Sequence, residues 1–250
     1  MEALTQMTHT AQVEFEGAKD QMSGRTISLI IFSVVASLFL DYGLIRYYNL
    51  SSLTFLNCLS LYVILTFVVV GGYQLFFWAQ NFSQKFPARS METKLDGYIP
   101  FIPQFSWCYS FIYYLLIGLT TISFKSMEQA AVVIFGGVVV LALGCLIYCF
   151  FPVKCPISYR SFSAKCASTR FLKFIHHYDK GRACMPSMHC AICSYVCAFL
   201  FPVIGDLSYA FVALIALSCL FVKQHQILDI VPGILLGLAV NWVIVPAAYL

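Results

Sequence analysis

Apolar residues in this chain come in long blocks divided by short polar stretches, with no strict alternation. Seven blocks stand out, at roughly 27–45, 53–79, 105–124, 130–153, 186–204, 207–222 and 226–250. A bilayer core of about 30 Å takes about 20 helical residues, within a range of about 17 to 25. Five blocks fit that range directly or with tilt. The first carries Asp41, and the sixth falls about one residue short of the range. Backbone in lipid must satisfy its own hydrogen bonds, and the blocks lack the period of a membrane barrel, so all are read as helices. The pattern predicts an all-α integral membrane protein: a six- or seven-helix transmembrane bundle over 27–250, with a polar tail over 1–26.

The polar intervals refine that plan. The tail holds Glu2, Glu14, Glu16 and Asp20, unlike the basic start of a signal peptide, so the first block is expected to be retained. The stretch 81–104 contains Pro100 and Pro103, which stop a continuous helix and predict a bent, interfacial entry to the third block. Phe101, Phe105, Trp107, Tyr109, Tyr113 and Tyr114 cluster there, as a headgroup-level aromatic belt would. The interval 154–185 reads as the longest loop. It holds seven of the 15 lysines and arginines, and a count of such cations places it on the inner side of the membrane.

Composition agrees with the class. Hydrophobic residues make up 60% and charged residues 10%, where a soluble domain carries about a quarter charged. The net charge of +4 is concentrated in loops, which suits anionic headgroups or substrates and gives no nucleic-acid surface. Eight of the 11 cysteines lie in apolar blocks, where cysteine packs as a small hydrophobe. Cys190 and Cys193 form a C-x-x-C pair without the second pair that a zinc site would need. Cys155, Cys166 and Cys184 lie in the loop, either reduced or with one pair bridged.

Candidate chemistry gathers at block ends. Pro186-Ser187-Met188-His189 opens the fifth block, and His225-Gln226-Ile227-Leu228-Asp229 opens the seventh. Two crossings separate them, so both histidines return to one membrane face. Ser187 starts a helix whose free N–H groups attract anions. His225 and Asp229 stand one helical turn apart, which lets the carboxylate orient the ring. Such a histidine can attack phosphorus to give a phosphohistidine, while His189 protonates the departing oxygen. Arg160, Lys154, Lys223, Arg182 and, more weakly, Lys180 are candidates to hold phosphoryl oxygens. The scheme requires no metal or other cofactor, and adjacent His176 and His177 cannot easily share one ion. A Ser187–His189 hydrolase dyad lacks the strand-turn-helix elbow. An anion or proton transporter is the alternative of another class, though no inverted repeat appears and the ionisable groups sit at one face, not the midplane.

These residues resemble the three signatures of the type-2 phosphatidic acid phosphatase superfamily, which includes lipid phosphate phosphatases and vanadium haloperoxidases. The pattern is K-x6-R-P, then P-S-G-H, then S-R-x5-H-x3-D, and the likeness spans about 154–229. Pro186, Ser187 and His189 match, with Met188 at the glycine. His225 and Asp229 match fully and Ser218 stands at the serine, but Cys219 occupies the arginine position, and Lys223, four residues on, is expected to replace its charge. Lys154 and Arg160 are one residue too close, and Ser161 replaces the proline. The resemblance implies a membrane hydrolase removing phosphate from a phosphorylated lipid through phosphohistidine. The departures, together with Lys223-Gln224-His225 and the Asp96 to Pro103 stretch, look like the phosphotransferase branch containing inositol-phosphorylceramide synthase relatives. There a phospho-headgroup passes between lipids.

Overall fold

The computed structural model describes residues 54–246. The block at 27–45 with Asp41, the 1–26 tail and 247–250 lie outside the described residues. Seven α-helices are described: α1 Phe55–Phe82, α2 Ser106–Ser123, α3 Met127–Phe150, α4 Ala167–Tyr178, α5 Met188–Ile204, α6 Leu207–Phe221 and α7 Ile227–Ile244. No β-strand occurs among the described residues. Four helical stretches, covering α1, α2, α3 and α7, are long and apolar enough to cross a membrane. The other two apolar helices, α5 and α6, have 17 and 15 residues.

Helix starts follow local chemistry. Thr54 accepts the Asn57 N–H at 3.3 Å to cap α1, and Ser126 accepts that of Gln129 at 3.1 Å to cap α3. At α7 the Asp229 carboxylate reaches back to the Gln226 N–H at 2.8 Å, closing a capping box. Outward faces are apolar: on α1 Phe67 is 74% exposed, and on α7 Trp242 is 80% exposed. Such surface suits lipid as solvent.

Helix α5 is the hub, packing most closely on α7 and next on α6, with α2 and α3 on its remaining sides. Buried Cys190, Ala191, Cys193, Tyr195 and Leu200 form its inner surface. Gly233 and Gly237, four apart on α7, face the Ser187 and Ala191 carbonyls so closely that a Cβ at either would collide with backbone. Small residues at this spacing let two membrane helices approach. That approach brings the start of α7 against the start of α5, where the Ser187 N–H donates to the Asp229 carbonyl at 2.9 Å.

The 154–185 interval differs from the expected loop, since it contains α4. This helix buries Phe171, Leu172 and His176 and exposes Arg170, Lys173 and His177. A half-polar helix fails any test for apolar runs, which is why hydropathy missed it. Trp107 joins it to α2, donating Nε1–H to Ser168 Oγ at 2.9 Å and stacking on Phe171 at 4.9 Å. Trp107 therefore belongs to a helix contact. Isolated bridges tie Val153 to Arg89 and to Ala183, and Cys155 is disulfide-bonded to Cys184.

Candidate active site

His189 and His225 line one cavity of about 300 Å³. Their ring centroids are 6.0 Å apart. The cavity lies among α1, α2, α3 and α5. Its histidine end includes Asp179, Cys184 and Gln224, while Val69, Phe76, Leu141 and Ile192 stand for its mostly apolar remainder. No lysine or arginine lines it among the described residues.

His189 is on the first turn of α5 and is held by rings. Tyr109 stacks on it at a 3.9 Å centroid distance, Tyr113 meets it edge-on at 5.4 Å, and the Tyr113 hydroxyl donates to its carbonyl at 2.6 Å. From the sequence both tyrosines are expected in an interfacial belt. Their spacing of four on α2 instead aims both at α5.

His225 is placed differently from the one-turn expectation. It lies in the turn before α7, which starts at Ile227, so it shares no helical face with Asp229. Its Nδ1 is 2.8 Å from the Cys184 carbonyl and 3.7 Å from Asp229 Oδ2. A carbonyl only accepts, so Nδ1 carries a proton, and in the neutral ring Nε2 keeps its lone pair. Burial alone would lower the His225 pKa, but the Asp229 carboxylate outweighs it and holds the ring above the ordinary histidine value. Asp229 is fully buried, and its Oδ1 accepts no hydrogen bond among the described residues.

The predicted cations scatter. Arg160 bonds the Asp179 carbonyl through Nη1, and its Nη2 lies 3.3 Å from Asp179 Oδ2. It thus touches a residue of the cavity wall without lining the cavity. Lys223 lies beyond the end of α6 with φ of 57°, so it shares no helical face with Cys219, whose missing arginine charge it is expected to replace. Its Nζ donates to the Asp96 carbonyl at 2.8 Å and lies over the Tyr159 ring. Arg182 is a strut, donating from Nη2 to the Ser83 and Phe86 carbonyls at 3.0 and 2.6 Å. Lys180 donates to Asn81 Oδ1 at 2.7 Å. Lys154 is exposed, and its backbone ties Arg89 to Gln226. Ser187 is sealed: it caps α5 through the Cys190 N–H and sits 3.8 Å from Cys219 Sγ. Cys219, at the arginine position, is itself fully buried.

Asp179 is the wall residue whose role the sequence did not disclose. Its Oδ1 accepts from Gln80 Nε2 at 3.2 Å and from the Gly181 N–H at 2.8 Å. Gln80 also accepts the Lys180 N–H at 2.8 Å, so the end of α1 holds this turn. No periodicity or spacing links Gln80 to Asp179 across 99 positions.

Comparison with curated proteins and with solved structures returned no match. The sequence profile of the PAP2 superfamily matches residues 86–243, more than half of the 250-residue chain and inclusive of both histidines. With an all-α architecture of apolar helices around paired histidines, the chain belongs to the PAP2 superfamily, the type-2 phosphatidic acid phosphatases and their relatives.

Proposed function

We propose that this chain is a multi-pass membrane enzyme that breaks a phosphate ester of a lipid through a phosphohistidine on His225. His225 Nε2 attacks phosphorus, the bond from phosphorus to the lipid oxygen breaks, and His189 supplies the proton to that oxygen. In the second half His189 takes the proton of an acceptor hydroxyl, whose oxygen displaces His225. Asp229 steadies the charge that His225 acquires. The observation that carries the reading is that both histidines share one cavity whose remaining wall is mostly apolar, as a lipid chain requires.

Water as acceptor makes the enzyme a phosphatase, and a lipid alcohol makes it a phosphotransferase. The cation arrangement favours transfer of a phospho-headgroup. A monoester dianion calls for several cations at its oxygens, whereas a phosphodiester carries a single charge. Here Cys219 is buried at the arginine position, Lys223 is engaged by Asp96, and Arg160 is paired with Asp179.

The test is a screen of phosphorylated lipids with purified protein, with and without a lipid alcohol, reading inorganic phosphate against new phosphodiester. New diester with little free phosphate is expected. His225→Ala and His189→Ala should each lose turnover, by about 100-fold or more. Full turnover in a folded double variant sinks the mechanism.

A further inference from the structure

Asp96 lies in the short 3-10 turn Lys94–Tyr98, within the bent stretch before α2, and is 1% exposed. Its Oδ2 accepts from the Thr93 N–H at 2.7 Å and from Thr93 Oγ1 at 2.6 Å. With that oxygen committed, Oδ1 is aimed at the Ile227 N–H, 2.8 Å away. Ile227 is the first residue of α7, so its N–H has no partner inside the helix. The Asp96 carbonyl also accepts Lys223 Nζ at 2.8 Å. The same stretch closes over α6, since the Ile102 N–H donates to the Phe221 carbonyl at 2.9 Å.

His225 stands midway between Lys223 and Ile227. The residues two before and two after it are therefore pinned to a single residue more than 120 positions away. Lys223 adopts a left-handed backbone that non-glycine residues seldom take, so the turn needs external support to persist. Burial works to raise the Asp96 pKa, yet the Thr93 and Ile227 hydrogen bonds and the Lys223 charge hold it below the ordinary carboxylate value. The group is thus an ionised acceptor at neutral pH, and it places a negative charge at the positive end of the α7 dipole.

We propose that Asp96 is a positioning residue for His225: it clamps both flanks of the turn and so sets where Nε2 points into the cavity. Asp96 does not itself line that cavity, and its effect reaches the chemistry only through His225. The proposal rests on the reading of His225 as nucleophile. A misplacement of about 1 Å at a reacting atom costs roughly 100-fold in rate.

The experiment compares full-length Asp96→Ala, Asp96→Asn, Thr93→Ala and the Thr93→Ala/Asp96→Ala double variant in detergent, with rates normalised to protein eluting as the native species. Asp96→Ala should lower kcat by about 10- to 100-fold while leaving KM within about twofold. Asp96→Asn should fall between it and the parent, because one amide oxygen can still accept the Ile227 N–H. The double variant should be no slower than Asp96→Ala, since Thr93 acts by orienting Asp96. A parent-like kcat in folded Asp96→Ala overturns the clamp. If Asp96→Ala does not fold, a parent-like kcat in Asp96→Asn overturns it equally, and a lowered kcat at unchanged KM supports it. His225→Ala runs alongside: if it is inactive while Asp96 variants match the parent, only the clamp fails. If it keeps its turnover, the nucleophile assignment fails first.

Discussion

His189 and His225 face one cavity but are held by opposite means. His189 is on a buried helix and is gripped by shape, with Tyr109 flat against it and Tyr113 at its edge. His225 is in a turn and is gripped by polar atoms: the Cys184 carbonyl at Nδ1, Asp229 beyond it, and Asp96 on both flanks. A ring packed by rings keeps its position without its protonation being prescribed. A ring bonded at one nitrogen has its tautomer prescribed as well, which a nucleophile needs and a proton shuttle, alternating between two states, does not.

Asp229→Asn should break the comparison most strongly, by about 10- to 100-fold in turnover, as loss of an outer orienting partner does. In the proposed mechanism neutral Nε2 is the attacking form, so parent activity should fall as pH drops through the raised His225 pKa. Without the carboxylate, burial dominates and that pKa drops, so the acid limb of the pH profile should move to lower pH. Stability runs the other way in the parent. The pair's contribution is full below the ordinary 6.5 and is lost as pH rises through the raised value. A limb that stays put in Asp229→Asn would remove Asp229 from the His225 environment.

Tyr109→Leu tests the other grip. Stacked aromatic pairs are worth about 0.5–1.5 kcal/mol, so turnover should fall roughly two- to tenfold. Its pH limb should match the parent's, and Tyr109→Phe should restore the rate. A shifted limb would show that His189 is also held electrostatically. The smallest kinetic effect belongs to Arg182→Met. This residue is a strut to Ser83 and Phe86, so kcat and KM should be unchanged. Stability should drop by about 2 kcal/mol, read as earlier thermal unfolding in detergent. A raised KM would return Arg182 to the phosphate site.

Helices were legible wherever lipid or core demanded an unbroken apolar run. The blocks at 53–79 and 130–153 became α1 and α3 with ends displaced by a few residues. The amphipathic α4 was hidden because half its surface meets polar surroundings, so its mean hydropathy resembles a loop's. The histidines and Asp229 stand out in the sequence because ionisable groups within membrane segments are rare, and the structure brings both histidines to one cavity. The cations could not be sorted by role, because a lysine's sequence position says nothing about where a flexible side chain finds its acceptor. Lys223 found the Asp96 carbonyl, and Arg182 found two carbonyls beyond α1.

By itself, then, the sequence determined a helical membrane chain with two histidines at one end of its bundle, because hydropathy, helix length and the parity of crossings are local properties. Only the tertiary structure decided what holds each histidine. The Cys184 carbonyl, Asp96 and Tyr109 lie 41, 129 and 80 positions from the histidines they serve. Contacts of that range are set by how helices pack, above all by the glycines that let α7 close on α5, and no local pattern encodes them.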